Sequence, residues 1–169
     1  MVEPTRVVQW STAGDAVRII DQRRLPGEDI EPDLRTLEDL SDAIATLAVR
    51  GAPAIGVAAA IGLVASLLPF FNEDPRLLRE RAKAHARMLA GVRPTAVNLP
   101  WAMARMSSLA QSLHAATGPQ LLDALRREAT AILDEDRAMC DAIGANGLAF
   151  VVDGVRVLTH CNAGALATA

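Results

Sequence analysis

Cys161 stands in Thr159-His160-Cys161-Asn162-Ala163-Gly164-Ala165-Leu166-Ala167-Thr168, where an apolar run gives way to small helix-forming residues. The run before it, Val151-Val152 and then Val155-Arg156-Val157-Leu158-Thr159, is rich in β-branched side chains and reads as a strand. A polar turn and the start of a helix then follow. Ligands of open α/β sheets bind at the carboxyl ends of strands, where helix N-termini aim free amides at them. A thiol placed there ionises more easily than its usual pKa of roughly 8.5 allows, which suits acid–base work. The bland alternative is a small apolar residue in a core, and the residues alone leave both open. Cys140 falls inside a helical pattern and reads as packing. His160 adjoins the cysteine, but neighbours in extended backbone point to opposite faces, so it is not taken as a base. His85 and His114 lie on helices without a partner at ligand spacing and read as surface or edge residues.

A second constellation is Arg50-Gly51-Ala52-Pro53-Ala54-Ile55-Gly56. Gly51 lets backbone approach a ligand closely, and Pro53 suits a helix start because its missing N–H would have no partner there. The amides of Gly51 and Ala52, the helix dipole and Arg50 together form an anion site. Equally, Arg50 could cap the carbonyls of the preceding helix. Arg93 is the one charge in Arg93-Pro94-Thr95-Ala96-Val97-Asn98-Leu99-Pro100-Trp101. Its planar fork matches a phosphate or carboxylate, although solvated arginine is the commoner fate.

Positioning these residues requires a recognisable set of elements. Val7-Val8-Gln9-Trp10 and Ala16-Val17-Arg18-Ile19-Ile20 pair as a hairpin around Ser11-Thr12-Ala13-Gly14-Asp15. A third short strand can form before Pro32. Thr36 opens a helix with Asp39 as a weak capping partner and Leu37, Leu40, Ile44 and Leu47 on its apolar face. A buried helix is expected over 53–68. Asp74-Pro75 starts another, which Gly91 closes. Two more are expected over 98–117, facing inward through Ala102, Met106, Leu109 and Leu113, and over 119–143. Asn146-Gly147 or Asp153-Gly154 marks the passage into a second domain. The fold class is α/β: a small antiparallel sheet with a helical bundle over 1–148, then the first strand of a further α/β domain, incomplete here, over 149–169.

Composition narrows the classes of function. The chain has 169 residues and a net charge of −3, and 16 of its 17 basic residues are arginine, scattered rather than clustered. Neither a nucleic-acid stripe nor a polybasic membrane segment is present. Tyrosine is absent and aromatics make up 3% of the chain, which disfavours base-stacking platforms. Two cysteines form neither a disulfide framework nor a zinc pattern, and no signal peptide opens the chain, so the cytoplasm is expected. The 22 uncharged residues from Gly51 to Asn72 could span a bilayer by length. Their prolines, glycines and alanines favour a core helix over a membrane span.

Four blocks carry a resemblance. Asp21-Gln22-Arg23-Arg24-Leu25-Pro26, Val49-Arg50-Gly51-Ala52-Pro53-Ala54-Ile55-Gly56-Val57-Ala58-Ala59-Ala60, Arg93-Pro94-Thr95-Ala96-Val97-Asn98-Leu99 and the segment around Cys161 resemble, in order, those of the methylthioribose-1-phosphate isomerase family. The resemblance implies an N-terminal strand-and-helix domain followed by a Rossmann-like domain, a homodimer, and an aldose–ketose isomerisation in methionine salvage that uses neither metal nor organic cofactor. It implies substrate binding by Arg50, Gly51, Ala52 and Arg93 and catalysis by Cys161. It also implies a proton-donating aspartate well downstream of this block, beyond Ala169. The small-molecule partner is then a phosphorylated sugar. Rival readings are a ribose-1,5-bisphosphate isomerase, a non-catalytic regulatory or assembly subunit of the same superfamily, and a helical adaptor. The first would need a further basic cluster, and the second would have no use for Cys161, Arg50 and Arg93 together. The third would leave an apolar groove exposed.

Overall fold

The computed structural model describes residues 6–169. Strands β1 (Val8–Trp10) and β2 (Val17–Ile19) form the expected antiparallel hairpin, with Val8 opposite Ile19 and Trp10 opposite Val17. Ser11 closes its turn: the hydroxyl accepts from the amides of Asp15 and Ala16, both at 3.1 Å, while Gly14 takes the left-handed φ of 70°. The third strand, β3 (Asp33–Leu34), follows Pro32 rather than preceding it. It pairs with β2, and Asp33 sits opposite Arg18 and accepts two hydrogen bonds from its guanidinium at 2.7 and 3.1 Å.

Five helices follow. In α1 (Leu37–Ala45) the Thr36 side chain accepts from the Asp39 amide at 3.1 Å, and Leu37, Leu40 and Ile44 are buried. Leu47 departs from expectation. It lies past the helix end with φ 65° and is exposed, because the chain must turn sharply there toward Arg50. Helix α2 (Ala52–Leu67) is the centre of the molecule, and every residue from Ala54 to Leu67 is buried. Together with the 3-10 turn Leu68–Phe70 that continues it, it is by length and composition apolar enough to cross a membrane, but here the sheet and the other four helices pack around it. Its glycines allow close approach. A Cβ at Gly62 would lie 2.3 Å from Leu40 Cδ2, and one at Gly56 would lie 2.9 Å from the Asn98 carbonyl oxygen. Ile61 is fully buried in this helix. Ile61→Ala is therefore expected to cost about 2–5 kcal/mol, read as a lower urea midpoint with an unchanged slope.

Asp74 caps α3 (Pro75–Val92), which runs one residue past Gly91 and buries Leu78, Ala82, Ala86 and Leu89. His85 on this helix is half-buried and hydrogen-bonded to Ser66 at 2.9 Å, and burial holds its pKa below the usual imidazole value. Helix α4 (Asn98–Ser112) stops short of Thr117, since Thr117 is instead the N-cap of α5. Ala102 and Met106 on α4 are buried, whereas Leu109 and Leu113 are only partly so. The boundary differs from the expected one because Thr117 and Gln120 form a capping box that starts α5 there. Helix α5 (Gly118–Gly147) continues beyond Ile143. Arg105 on α4 pairs with Glu128 and Glu135 on α5, and Trp10 Nε1 donates to Thr130 Oγ1 at 3.1 Å, tying the hairpin to the same helix.

The last segment differs from expectation. Residues 151–159 form no strand. Val157 is 75% exposed and Leu158 is 97% exposed. A strand needs a neighbour for its amides and carbonyls, and none lies beside this run among the described residues. Instead of the expected helix, one 3-10 turn (Ala165–Ala167) follows the cysteine and returns to the start of α2.

Candidate active site

The start of α2 is the floor of the site. After α1 the chain turns through Leu47 and reaches Gly51, the N-cap of α2, at φ 103° and ψ 131°. Gly51 has no side chain to cap the helix, so no side chain occupies the Gly51 and Ala52 amides, and both residues line the site's cleft. Gly51 is also required on its other side. A Cβ there would lie 2.4 Å from both Cα and O of Ala167. Gly51→Ala is thus expected to push away the returning segment and to add roughly 1–3 kcal/mol of backbone strain. Faster hydrogen exchange of the Ala169 amide, which now donates to Asp136 Oδ2 at 2.9 Å, would report the displacement. Unchanged protection together with an unchanged midpoint would refute the packing.

Arg50 does not cap α1. Its Nε donates to Gln22 Oε1 at 3.1 Å, and the buried Gln22 donates from Nε2 to the carbonyls of Leu166 at 2.8 Å and Arg50 at 3.4 Å. Arg93 is the C-cap of α3 and is half-buried, held in a turn closed by the Ala96 amide on the Arg93 carbonyl at 3.0 Å. Cys161 lies in a bend with φ 61° and is exposed rather than part of a core. Arg50, Gly51, Ala52, Arg93 and Cys161 all line one cleft of about 330 Å³. Leu47, Ile55 and Ala96 add an apolar wall, and Thr95 and Asn162 add polar groups. His160 is not among the lining residues, and neither is Cys140.

The charge in this cleft is unspent. Arg18, Arg23, Arg35, Arg81, Arg105 and Arg127 all pair with carboxylates, whereas Arg50 and Arg93 have no ion pair among the described residues. No aspartate or glutamate lines the cleft. Two unneutralised guanidinium groups beside the open amides of a helix N-terminus favour a dianion such as a phosphate monoester. A second cleft, of about 340 Å³, lies across α2 between α4 and α5, and its charged residues are acidic. There Glu135 is held by Arg105 and Asp136 by the Ala169 amide, so it offers an anion nothing. Gln22 lies in the Asp21-to-Pro26 block, but its residue type and spacing do not mark it as a site residue. A lone glutamine after a strand carries no spacing signal, and its role depends on contacts 28 and 144 residues away.

Relatives supply independent evidence. A methylthioribose-1-phosphate isomerase of Gemmatimonas aurantiaca is 55% identical over 96% of this chain and 46% of its own length. A 5-deoxyribose 1-phosphate isomerase of Moorella thermoacetica is 44% identical over 100% of this chain and 48% of its own length. Among solved structures, 5-methylthioribose 1-phosphate isomerase of Pyrococcus horikoshii superposes with a TM-score of 0.85 at 33% identity, covering 99% of this chain and 46% of that one. Subunit delta of the translation initiation factor eIF-2B from A. fulgidus gives 0.84 at 37%, covering 96% and 46%. The chain thus spans about half the length of the relatives it matches. The model of the initiation factor 2 subunit family matches residues 48–169, from the buried turn before Arg50 through α2 to the segment around Cys161, and the chain belongs to that family.

Proposed function

We propose that the full-length protein is an aldose–ketose isomerase that converts 5-methylthioribose 1-phosphate to 5-methylthioribulose 1-phosphate in methionine salvage. The observation that carries this reading is the meeting of Arg50, Arg93, the α2 amides and Cys161 on one cleft that holds no carboxylate. The identity to enzymes named for that reaction supports it. In this reading residues 1–148 are an N-terminal domain and 149–169 lead into a Rossmann-like domain, the protein is a cytoplasmic homodimer, and the run at 155–159 pairs into that domain's sheet.

The chemistry demanded by the substrate fits these groups. A sugar 1-phosphate is locked as a ring, so the bond between C1 and the ring oxygen must break while that oxygen takes a proton. The hydrogen on C2 moves to C1, and the C2 hydroxyl gives up its proton as the ketone forms. One proton enters and one leaves, so the reaction needs acid–base groups at two oxygens. Arg50, Arg93 and the amides of Gly51 and Ala52 hold the phosphate and thereby fix C1 and C2, where positioning contributes most. Cys161, at the rim of the same cleft, serves the proton transfer or stabilises the transition state. The apolar wall of Leu47, Ile55 and Ala96 suits an uncharged substituent such as methylthio.

The relative named for 5-deoxyribose 1-phosphate favours a second reading that differs only at C5. A bisphosphorylated ribose would need a cation beyond the Arg50 and Arg93 of this cleft, expected in the half of the pocket that follows residue 169. The test is 31P NMR of the purified full-length protein with 5-methylthioribose 1-phosphate, 5-deoxyribose 1-phosphate and ribose 1,5-bisphosphate in parallel. Ketose from the first at the highest kcat/KM is expected. Preference for the second would reassign the substrate, and preference for the third would reject the uncharged-C5 assignment. No ketose from any would leave the non-catalytic subunit as the better reading.

A further inference from the structure

We infer that Gln22 is a positioning residue for the phosphate site, aiming Arg50 into the cleft and fastening the cysteine-bearing segment beside it. This rests on the proposed phosphate role of Arg50. The Gln22 side chain is buried at 3% exposure, yet its amide is fully employed on two parts of the chain far apart in sequence. Its oxygen accepts from Arg50 Nε at 3.1 Å, and its nitrogen donates to the Leu166 carbonyl at 2.8 Å and to the Arg50 carbonyl at 3.4 Å. Its own backbone amide is anchored on the Ala48 carbonyl at 2.9 Å, so the side chain springs from a fixed point between α1 and α2.

The choice of an amide follows from what the arginine must do. An arginine has five donors in a rigid fork. Fixing Nε from behind orients the plane of the guanidinium while leaving both terminal nitrogens for a ligand. A carboxylate in that place would orient it equally well but would neutralise the charge the phosphate needs, as Asp21 does for the adjacent Arg23 with contacts at 2.6 and 2.8 Å. A carboxylate would also set oxygen against the Leu166 carbonyl. Only a side chain that accepts on one side and donates on the other, without charge, satisfies both neighbours. The same group thereby links the Arg50 turn to the residues just after Cys161, so the two halves of the cleft share one joint.

The test is a double-mutant cycle in the full-length protein with 5-methylthioribose 1-phosphate, using Gln22→Met, Arg50→Met and the pair. Gln22→Met is expected to raise KM about tenfold when Arg50 is present, the low end of what one charge-assisted hydrogen bond contributes. In the Arg50→Met background the same change should alter KM by no more than about twofold. Loss of the bond to the Leu166 carbonyl lowers the thermal midpoint in either case, whereas a merely structural glutamine would multiply KM equally in both backgrounds. That result, or an unchanged KM in the single variant, overturns the inference. If Arg50→Met itself leaves KM unchanged, the phosphate role of Arg50 fails and the inference falls with it. Should Gln22→Met not fold, Gln22→Glu keeps the shape and the acceptor. It is expected to raise KM about tenfold with Arg50 present, chiefly by pairing the guanidinium, and by a smaller factor in the Arg50→Met background, where only the clash with the Leu166 carbonyl remains; equal factors in both backgrounds would again overturn the inference.

Discussion

Cys161→Ser in the full-length protein is expected to slow the chemical step by about 10²- to 10⁴-fold, the range supplied by a positioned proton-transfer group. Stability should stay within about 0.5 kcal/mol, as for exposed sites without special contacts. In this structure the thiol is exposed in a bend. Serine is close in size, but its hydroxyl is far less acidic than a thiol, so chemistry that uses acidity suffers while binding does not. Backbone provides a second arm. Cys161 holds φ 61°, a conformation that glycine adopts without steric cost. Cys161→Gly is therefore expected to relax the bend and still abolish turnover. Cys140→Ser, half-buried on α5 and outside the cleft, should turn over at the ordinary rate. Single-turnover kinetics beside a denaturant midpoint distinguish these outcomes. A wild-type rate in the serine variant would remove Cys161 from the chemistry.

What could be read from the residues was local, and what could not was set at a distance. The hairpin around Gly14, the Asp74-Pro75 start of α3 and the uncharged α2 announce themselves because turn chemistry, caps and hydropathy act within a few residues. The β-branched run at 155–159 has strand propensity yet stays unpaired, because a strand exists only with a partner. Leu47 fits the helical spacing of α1, but the chain has already turned at that point. The candidate site shows the same division. Arg50 and Gly51 belong to a helix start that spacing reveals. Their meeting with Arg93 and Cys161 is a tertiary event. Gln22 belongs to the first of the four resembling blocks, but its hold on Arg50 and on the Leu166 carbonyl depends on remote partners. Gly51 shows how one residue can answer to both scales. Its position before Pro53 is legible as a helix start, whereas the backbone of Ala167 lying against it is not.

Arg93→Met and Arg50→Met are each expected to weaken substrate binding about 10- to 100-fold, the equivalent of roughly 1.5–3 kcal/mol for a hydrogen bond to a charged group. The expectation follows from the absence of competing carboxylates. A guanidinium already paired loses little when its ligand role is removed, but Arg50 and Arg93 have no ion pair among the described residues. Arg81→Met makes the same change in net charge at a residue engaged by Glu73 at 2.8 and 3.0 Å, and it should leave affinity unaltered. Titrating 5-methylthioribose 1-phosphate calorimetrically into the Cys161→Gly background measures binding without turnover. Since both arginines are proposed to hold the same phosphate, the double variant should lose less than the product of the two factors. Arg93→Lys separates charge from geometry. A lysine restores attraction but lacks the planar fork, so affinity intermediate between wild type and Arg93→Met is expected. Wild-type affinity in both methionine variants, with the fold intact, would move the phosphate elsewhere and leave the open amides of α2 without a ligand.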